Sequence, residues 1–432
     1  IIDYGSLIYI ALERSTSARE AIRIMTDLVA KYGYCSEGET FTIADKNEVW
    51  VMEMVGKGKG NKGAAWVAVR IPDDCICAHA NQSRITRFFQ LFPKSDVMYA
   101  KDIVKFAREK GFFTGKDNDF SFRDAFNPTD FGGIRWCDAR AWCFFYRNAD
   151  GMDAYLPYVK GEDLQGEMPL YMKPNHLLTV RDVQNGMRDH YEDTPLDITA
   201  DLGAGAYSMP YRPSPLGFEV DGVKYFNERP ISTQQTGFAF VGQMRSWLPD
   251  PVGGIVWWGN DDANMIAYTP IYCGVTEVPH CYLRIAGEQD ELTFSWKSAF
   301  WLQNTVSNMV YPYYSKMYPD LRRVIDKLEN AYDEERSEVD DEAVARYQKD
   351  PSLARTYLTE YSLKRADEMM QEWDGLFRYL TVKHNDMVVK KENENGFIRT
   401  ADGFAAAPVR PGYPAEYQKK IASETGERYI EK

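Results

Sequence analysis

The sequence predicts an α+β fold in which two antiparallel β-meanders form two sheets packed face to face and covered by helices. Three observations lead there. Residues 41–84 hold four short β-rich runs separated by turn residues, a second set of three runs lies between residues 231 and 272, and helical periodicity precedes the first set and follows the second.

Helical spacing begins almost at once. Residues 6–12 are largely apolar, and residues 17–33 place Ala21, Ile22, Met25, Leu28, Val29 and Tyr32 at helical intervals. Ser17 and Glu20 make a Ser-x-x-Glu capping box, and Gly33 supplies the stop. The first meander then reads Phe41-Thr42-Ile43-Ala44, Val49-Trp50-Val51-Met52-Glu53-Met54, Ala65-Trp66-Val67-Ala68-Val69 and Cys75-Ile76-Cys77-Ala78-His79. Its last run is expected to be a strand that ends in Asn81, Gln82, Ser83 and Arg84, with His79 and Asn81 on one face. A rigid sheet stopping at polar groups is a platform for an active site.

Residues 86–130 are mixed in pattern, and 135–148 read as a helix rich in aromatic residues. Thr179 and Asp182 open a further helix that ends before Pro195. Residues 200–230, with many Gly and Pro, read as a long loop. The second meander comprises 231–244, 254–259 and 265–272, with turns at Pro249-Asp250-Pro251 and Asn260-Asp261-Asp262. Residues 295–311 are helical in pattern, and 318–392 carry dense charge at helical spacing, as solvated helix faces do. The expected organisation is a sheet-and-helix domain over 1–315, a charged helical region over 316–393 and an extended tail over 394–432.

Composition removes several function classes. A net charge of −13 repels a phosphate backbone, and the short Lys57–Lys62 run cannot offset it, so no nucleic-acid partner is expected. No apolar run reaches the roughly 18 residues of a membrane helix, so no membrane span is expected either. Seven scattered cysteines do not form a disulfide framework, and most read as small buried hydrophobes. Gly58, Gly60 and Gly63 spell G-x-G-x-x-G, but a strand pattern follows where a dinucleotide site needs a helix, so the run reads as a hairpin loop. His79, His176, His190, His280 and His384 show no ligand spacing, and no C-x-x-C exists. Neither cofactor nor metal is expected. Trp257-Trp258-Gly259-Asn260-Asp261-Asp262 is the best run for a glycan platform or a carboxylate pair, although aromatic pairs on strands are commonly core.

The order of these pieces resembles the cysteine dipeptidases of the PepD type, N-terminal nucleophile hydrolases related to choloylglycine and penicillin hydrolases. The matching stretches are Ala18-Arg19-Glu20-Ala21-Ile22, Ile43-Ala44-Asp45-Lys46-Asn47-Glu48-Val49-Trp50-Val51-Met52-Glu53, Trp66-Val67-Ala68-Val69-Arg70-Ile71-Pro72-Asp73, Ala78-His79-Ala80-Asn81-Gln82, Arg229-Pro230-Ile231-Ser232-Thr233 and Leu248-Pro249-Asp250-Pro251-Val252-Gly253-Gly254. The resemblance implies an αββα sandwich and hydrolysis of a dipeptide or short peptide. The attacking group is a Cys thiolate at the processed N-terminus whose own α-amine is the general base. Side-chain amides stabilise the oxyanion. On this resemblance Asn81 is the catalytic candidate, with His79 and Arg84 as substrate-binding neighbours. Arg84, Arg135 and Arg140 are candidates for the substrate carboxylate. Related hydrolases use a later Arg near the second sheet, where this chain has Arg229 and Arg245 flanking residues 233–237.

The chain opens with Ile1-Ile2-Asp3, so the nucleophile is expected upstream of it, and the chain alone is expected to be inactive. One sheet should then expose an edge or an apolar face. A homo-oligomer and an extracytoplasmic location complete the expectations. A reading from a different class stays open: a non-catalytic glycan- or protein-binding module on the same fold.

Overall fold

A computed structural model describes residues 1–431. Two compact units divide the chain, Ile1–Thr179 and the remainder from Val180. Both mix helices with small antiparallel sheets, an α+β composition.

In the first unit, helices Tyr4–Arg14 and Ala18–Tyr32 come first. The Ser17 side chain accepts from the Glu20 backbone N–H, but the capping box is only half made. Glu20 turns its carboxylate to the N–H and hydroxyl of Thr16 instead. Gly33 ends the helix at a φ of 86°, in the region where a side chain is strained. Strands β1 (Gly38–Ala44), β2 (Val49–Gly56) and β3 (Ala64–Ile71) then meander as the β-rich runs predict. Asp45 holds the β1–β2 turn, accepting from the N–H groups of Asn47 and Glu48, and its other oxygen caps Ala18 at 2.8 Å. Arg19 and Glu48 pair across the same junction at 2.8 Å. The helices are thereby fixed to one face of the sheet, where Leu7, Ile22, Met25, Phe41, Trp50 and Met52 share a core. Fully burying one such side chain contributes about 1.5–3 kcal/mol.

The fourth run departs from expectation. Only β4 (Ile76–Cys77) is strand, and residues 78–85 form an irregular segment. The fourth strand of the sheet is instead β5 (Val97–Tyr99), beside β3. β4 pairs with β6 (Tyr171–Met172), about a hundred residues on. His79 and Asn81 therefore do not share a strand face. The second face of the sheet packs Val51, Val67 and Val69 against Ile85, Phe88, Phe120 and Phe122. The predicted helix at 135–148 is Ala139–Asn148, entered through a π-helical turn, Gly133–Asp138.

In the second unit the helix at 179 is short, Val180–Met187. Residues 200–230 are not all loop: β7 (Gly217–Val220) and β8 (Val223–Phe226) make a hairpin around Asp221 and Gly222, both at positive φ. β9 (Phe238–Met244), β10 (Gly254–Asn260) and β11 (Thr269–Tyr272) form the second meander, in the order β11-β10-β9. The expected strands at 231 and 265 begin later, at 238 and 269: bends and a turn occupy residues 231–237, and a 3-10 helix, Ala263–Met265, precedes the third strand. Helices Ala299–Val310, Tyr314–Lys349 and Pro351–His384 cover one face of this sheet. Trp257, Val306, Ile325, Tyr332, Met369 and Trp373 lie in that shared core, so the charged helices belong with the sheet. The other face of β9 and β10 carries Phe238 and Phe240, each about half exposed, stacked on Trp258. The tail after residue 394, expected extended, contains the helix Ala415–Thr425. Among the described residues no helix is long and apolar enough to cross a membrane.

Candidate active-site cleft

A cleft of about 420 Å³ opens in the first unit beside β1 and β2. Thr40, Glu53, Asn81, Gln82, Phe126 and Asn127 are among its walls. Thr40 and Glu53 face each other in the β1–β2 register, so one sheet face supplies that wall. Its charged lining residues, Glu37, Glu39 and Glu53, are all acidic.

The irregular segment after β4 is held without a ladder. Glu53 sits mid-strand among Val51, Met52 and Met54, and is 2% exposed. One of its oxygens accepts from the backbone N–H groups of Arg84 (2.5 Å) and Ile85 (3.1 Å), the other from the Ser83 hydroxyl. Burial pushes the Glu53 carboxyl up, and these three donors oppose that rise. Asn127, at the end of helix Phe122–Phe126, grips the same segment from the other side. Its side-chain oxygen accepts from the Ser83 N–H at 2.9 Å, and its carbonyl accepts from the Gln82 amide at 2.7 Å.

Asn81 is exposed at the cleft, and its Oδ1 accepts from Arg140 Nη2 at 2.8 Å. A guanidinium only donates, so the amide oxygen must be the atom that faces it. The amide NH₂ is therefore turned the other way, as a donor. Arg140 is itself steadied by a 2.6 Å bond from Nε to the Trp136 carbonyl.

His79 is half-buried, with Nε2 2.8 Å from the Thr42 hydroxyl. Burial, and secondarily the Arg84 charge, push its pKa down to about 4, so the imidazole is neutral near pH 7. His79 is not among the residues that line the cleft. Nor is Arg84, whose side chain is 2% exposed. Its guanidinium donates to the Pro169 carbonyl at 2.5 Å and lies 3.6 Å from Asp138. This arginine ties the segment to residues 138–169 and has no surface to offer a substrate. The structure thus brings Asn81 and Arg140 together and sets His79 and Arg84 apart from the cleft.

Sequence reasoning passed over Glu53 and Asn127. A charged residue inside an apolar strand was the available signal for Glu53; Asn127 gave none, since its partners lie more than forty residues away. In the second unit Arg245 is buried against Asp340 and the carbonyls of Val252 and Gly253. Among the described residues no three His, Cys, Asp or Glu side chains gather as metal ligands.

Comparison with known proteins adds the following. The family model described as peptidase family C69 matches residues 1–327. A probable dipeptidase of Latilactobacillus sakei is 27% identical over 310 residues, covering 72% of this chain and 57% of the relative. Probable dipeptidase B of Lactococcus lactis subsp. lactis (strain IL1403) is 27% identical, covering 68% and 55%. Dipeptidase A of Lactobacillus helveticus is 23% identical, covering 74% and 57%. The chain spans a little over half the length of these curated relatives.

Proposed function

Because this chain belongs to peptidase family C69, we propose that the protein it forms part of hydrolyses the amide bond of dipeptides and short peptides, with the cleft at Asn81 as the place where substrate is held. The observation that carries the proposal is the Arg140–Asn81 bond, which leaves the Asn81 amide as a fixed donor at the mouth of a cleft. A preorganised donor aimed where a carbonyl oxygen becomes negative is what acyl transfer needs. Glu37 and Glu39 in the lining suit the free α-ammonium of a short peptide. His79 and Arg84 support the segment that bears Asn81, His79 from the Thr42 side and Arg84 from beneath.

Four of the seven cysteines, Cys75, Cys77, Cys273 and Cys281, are poor candidates for the attacking thiolate. Burial pushes the Cys77 and Cys281 thiols up to about 12 and raises those of Cys75 and Cys273, the opposite of what a thiolate nucleophile requires. On this reading the nucleophile is an N-terminal Cys, as the family resemblance implies. The αββα sandwich is part of the same proposal, supported by the helices that pack on the sheet of each unit.

The test is release of free amino acids from a dipeptide panel by the full-length protein and by its Asn81→Ala variant. Turnover is expected, with kcat lowered about 10²–10³-fold in the variant. Absence of dipeptide hydrolysis by the full-length protein overturns the function, and an unchanged kcat in the variant overturns the role of Asn81.

A further inference from the structure

We infer that Glu53 is a positioning residue for the proposed reaction: its buried carboxylate fixes the backbone at residues 83–85 and, through it, the place of the Asn81 amide. The inference rests on Asn81 meeting substrate as proposed above.

A carboxylate is costly inside an apolar strand unless donors surround it. Glu53 has three, and they come from three consecutive residues, Ser83, Arg84 and Ile85. Those residues have no strand partner, so without Glu53 the N–H groups of Arg84 and Ile85 would be buried without acceptors. One side chain thus replaces a missing ladder. With Asn127 holding Gln82 and Ser83 from the opposite side, residues 82–85 are clamped between β2 and the helix end at Asn127. Asn81 is the first residue beyond the clamp, and Arg140 fixes only its side-chain oxygen. The backbone that carries Asn81 takes its position from Glu53. Both Glu53 oxygens are occupied by these donors, so the group itself is not placed to touch a substrate.

The experiment compares the full-length protein with Glu53→Gln, Glu53→Leu, Asn81→Ala and the Asn81→Ala/Glu53→Leu double variant. Glu53→Leu should lower kcat by about 10²-fold with KM little changed, as expected for a misplaced reacting group. Glu53→Gln should restore most of that loss. Its amide oxygen can still accept both backbone N–H groups, and the Ser83 hydroxyl can reverse to accept from its NH₂. In the double variant kcat should fall no further than in Asn81→Ala alone. Amide hydrogen exchange at Arg84 and Ile85 should be slow in the wild type and in Glu53→Gln and fast in Glu53→Leu. Should Glu53→Leu fail to fold, Ser83→Ala removes one of the three donors and serves the same comparison with Asn81→Ala.

Independent, multiplicative losses from Glu53→Leu and Asn81→Ala overturn the inference, because Glu53 would then act by another route. So does a Glu53→Gln variant as impaired as Glu53→Leu. A loss in Asn81→Ala with none in Glu53→Leu overturns this inference alone and leaves the reading of Asn81 standing. An unaffected Asn81→Ala overturns both.

Discussion

Arg140 Nη2 donates to Asn81 Oδ1 at 2.8 Å, joining two residues 59 apart in the sequence. The bond decides which end of an otherwise symmetrical amide faces the cleft. If Asn81 meets substrate as proposed, removing the bond frees the amide to turn its oxygen toward that substrate, where an acceptor repels developing negative charge. Arg140→Ala in the full-length protein should lower kcat by roughly tenfold, less than loss of the Asn81 donor itself. Arg140→Lys, which can still donate to Oδ1 but not to the Trp136 carbonyl in the same pose, should lie between. Steady-state kinetics on a dipeptide check the order wild type, Arg140→Lys, Arg140→Ala; equal rates for all three remove the orienting role.

His79 should stay neutral across the physiological range. Burial and the nearby Arg84 charge lower its pKa to about 4. A histidine depressed in the folded state disfavours folding once the unfolded chain can take the proton, so its linkage to stability runs from about pH 6.5 down to about 4 and is absent above. The checking measurement is an NMR titration of the imidazole. Its resonances should be flat from pH 8 to 5.5 and begin to move only below, whereas a midpoint near 6.5 would show an imidazole in contact with water.

Much of this architecture was legible because its causes are local. Ser17 and Gly33 bound a helix by side-chain and backbone preferences that act within a few residues, and β1 to β3 follow from β-rich runs separated by turn residues. The stretch after β3 was misread for the opposite reason. Residues 78–85 have a strand-like pattern, but their backbone partners are the Glu53 carboxylate and Asn127, more than thirty residues away. Arg84 misled in the same way. An arginine near a polar strand end suggests an anion site, and only the fold shows Asp138 and the Pro169 carbonyl already beside it. The β7–β8 hairpin was legible and was overlooked. Asp221-Gly222 between Val220 and Val223 is the short-range signal of a two-residue hairpin turn, hidden by the Gly and Pro around it.

Asp340 should be needed for the stability of the second unit. Its side chain is 12% exposed and pairs with Arg245, 5% exposed, while Tyr272 donates to it at 2.8 Å. Asp340→Ala leaves the Arg245 guanidinium buried without its counter-charge, a change that costs about 3–5 kcal/mol and lowers Tm by roughly 6–15 °C. Asp340→Leu should be no better, since the cation remains. Replacing both partners together, Arg245→Met with Asp340→Leu, should recover part of the loss. Thermal melts of the three variants decide it: a double variant as unstable as Asp340→Ala would show that packing, and not the stranded charge, sets the cost.

Asp261 makes stability depend on pH in the direction opposite to most carboxylates. It is fully buried at the end of β10, where Asn304 Nδ2 donates at 3.0 Å and the Ser307 hydroxyl at 2.5 Å. Burial pushes its pKa up to about 7, and the adjacent Asp262 adds a smaller push. The folded state therefore binds the proton more tightly than the unfolded state, where the carboxyl titrates near 4. Below about pH 4 the group is protonated in both states and its contribution is fully present. Between about 4 and 7 the unfolded chain releases the proton first and stability falls; above 7 the loss is complete, on the order of 4 kcal/mol. Asp261→Asn removes the titration and keeps the shape. Asn also tolerates the φ of 100° at this position better than most residues, and its NH₂ can donate to the Ser307 oxygen once that hydroxyl turns to its other acceptor, the Gln303 carbonyl. The variant should match the wild type near pH 4 and exceed it by several kcal/mol at pH 8. Denaturant unfolding at pH 4.5, 6 and 8 reads the gap directly. A difference that does not widen with pH would mean that the Asp261 carboxyl is ionised in the folded protein throughout, its charge met by the donors around it.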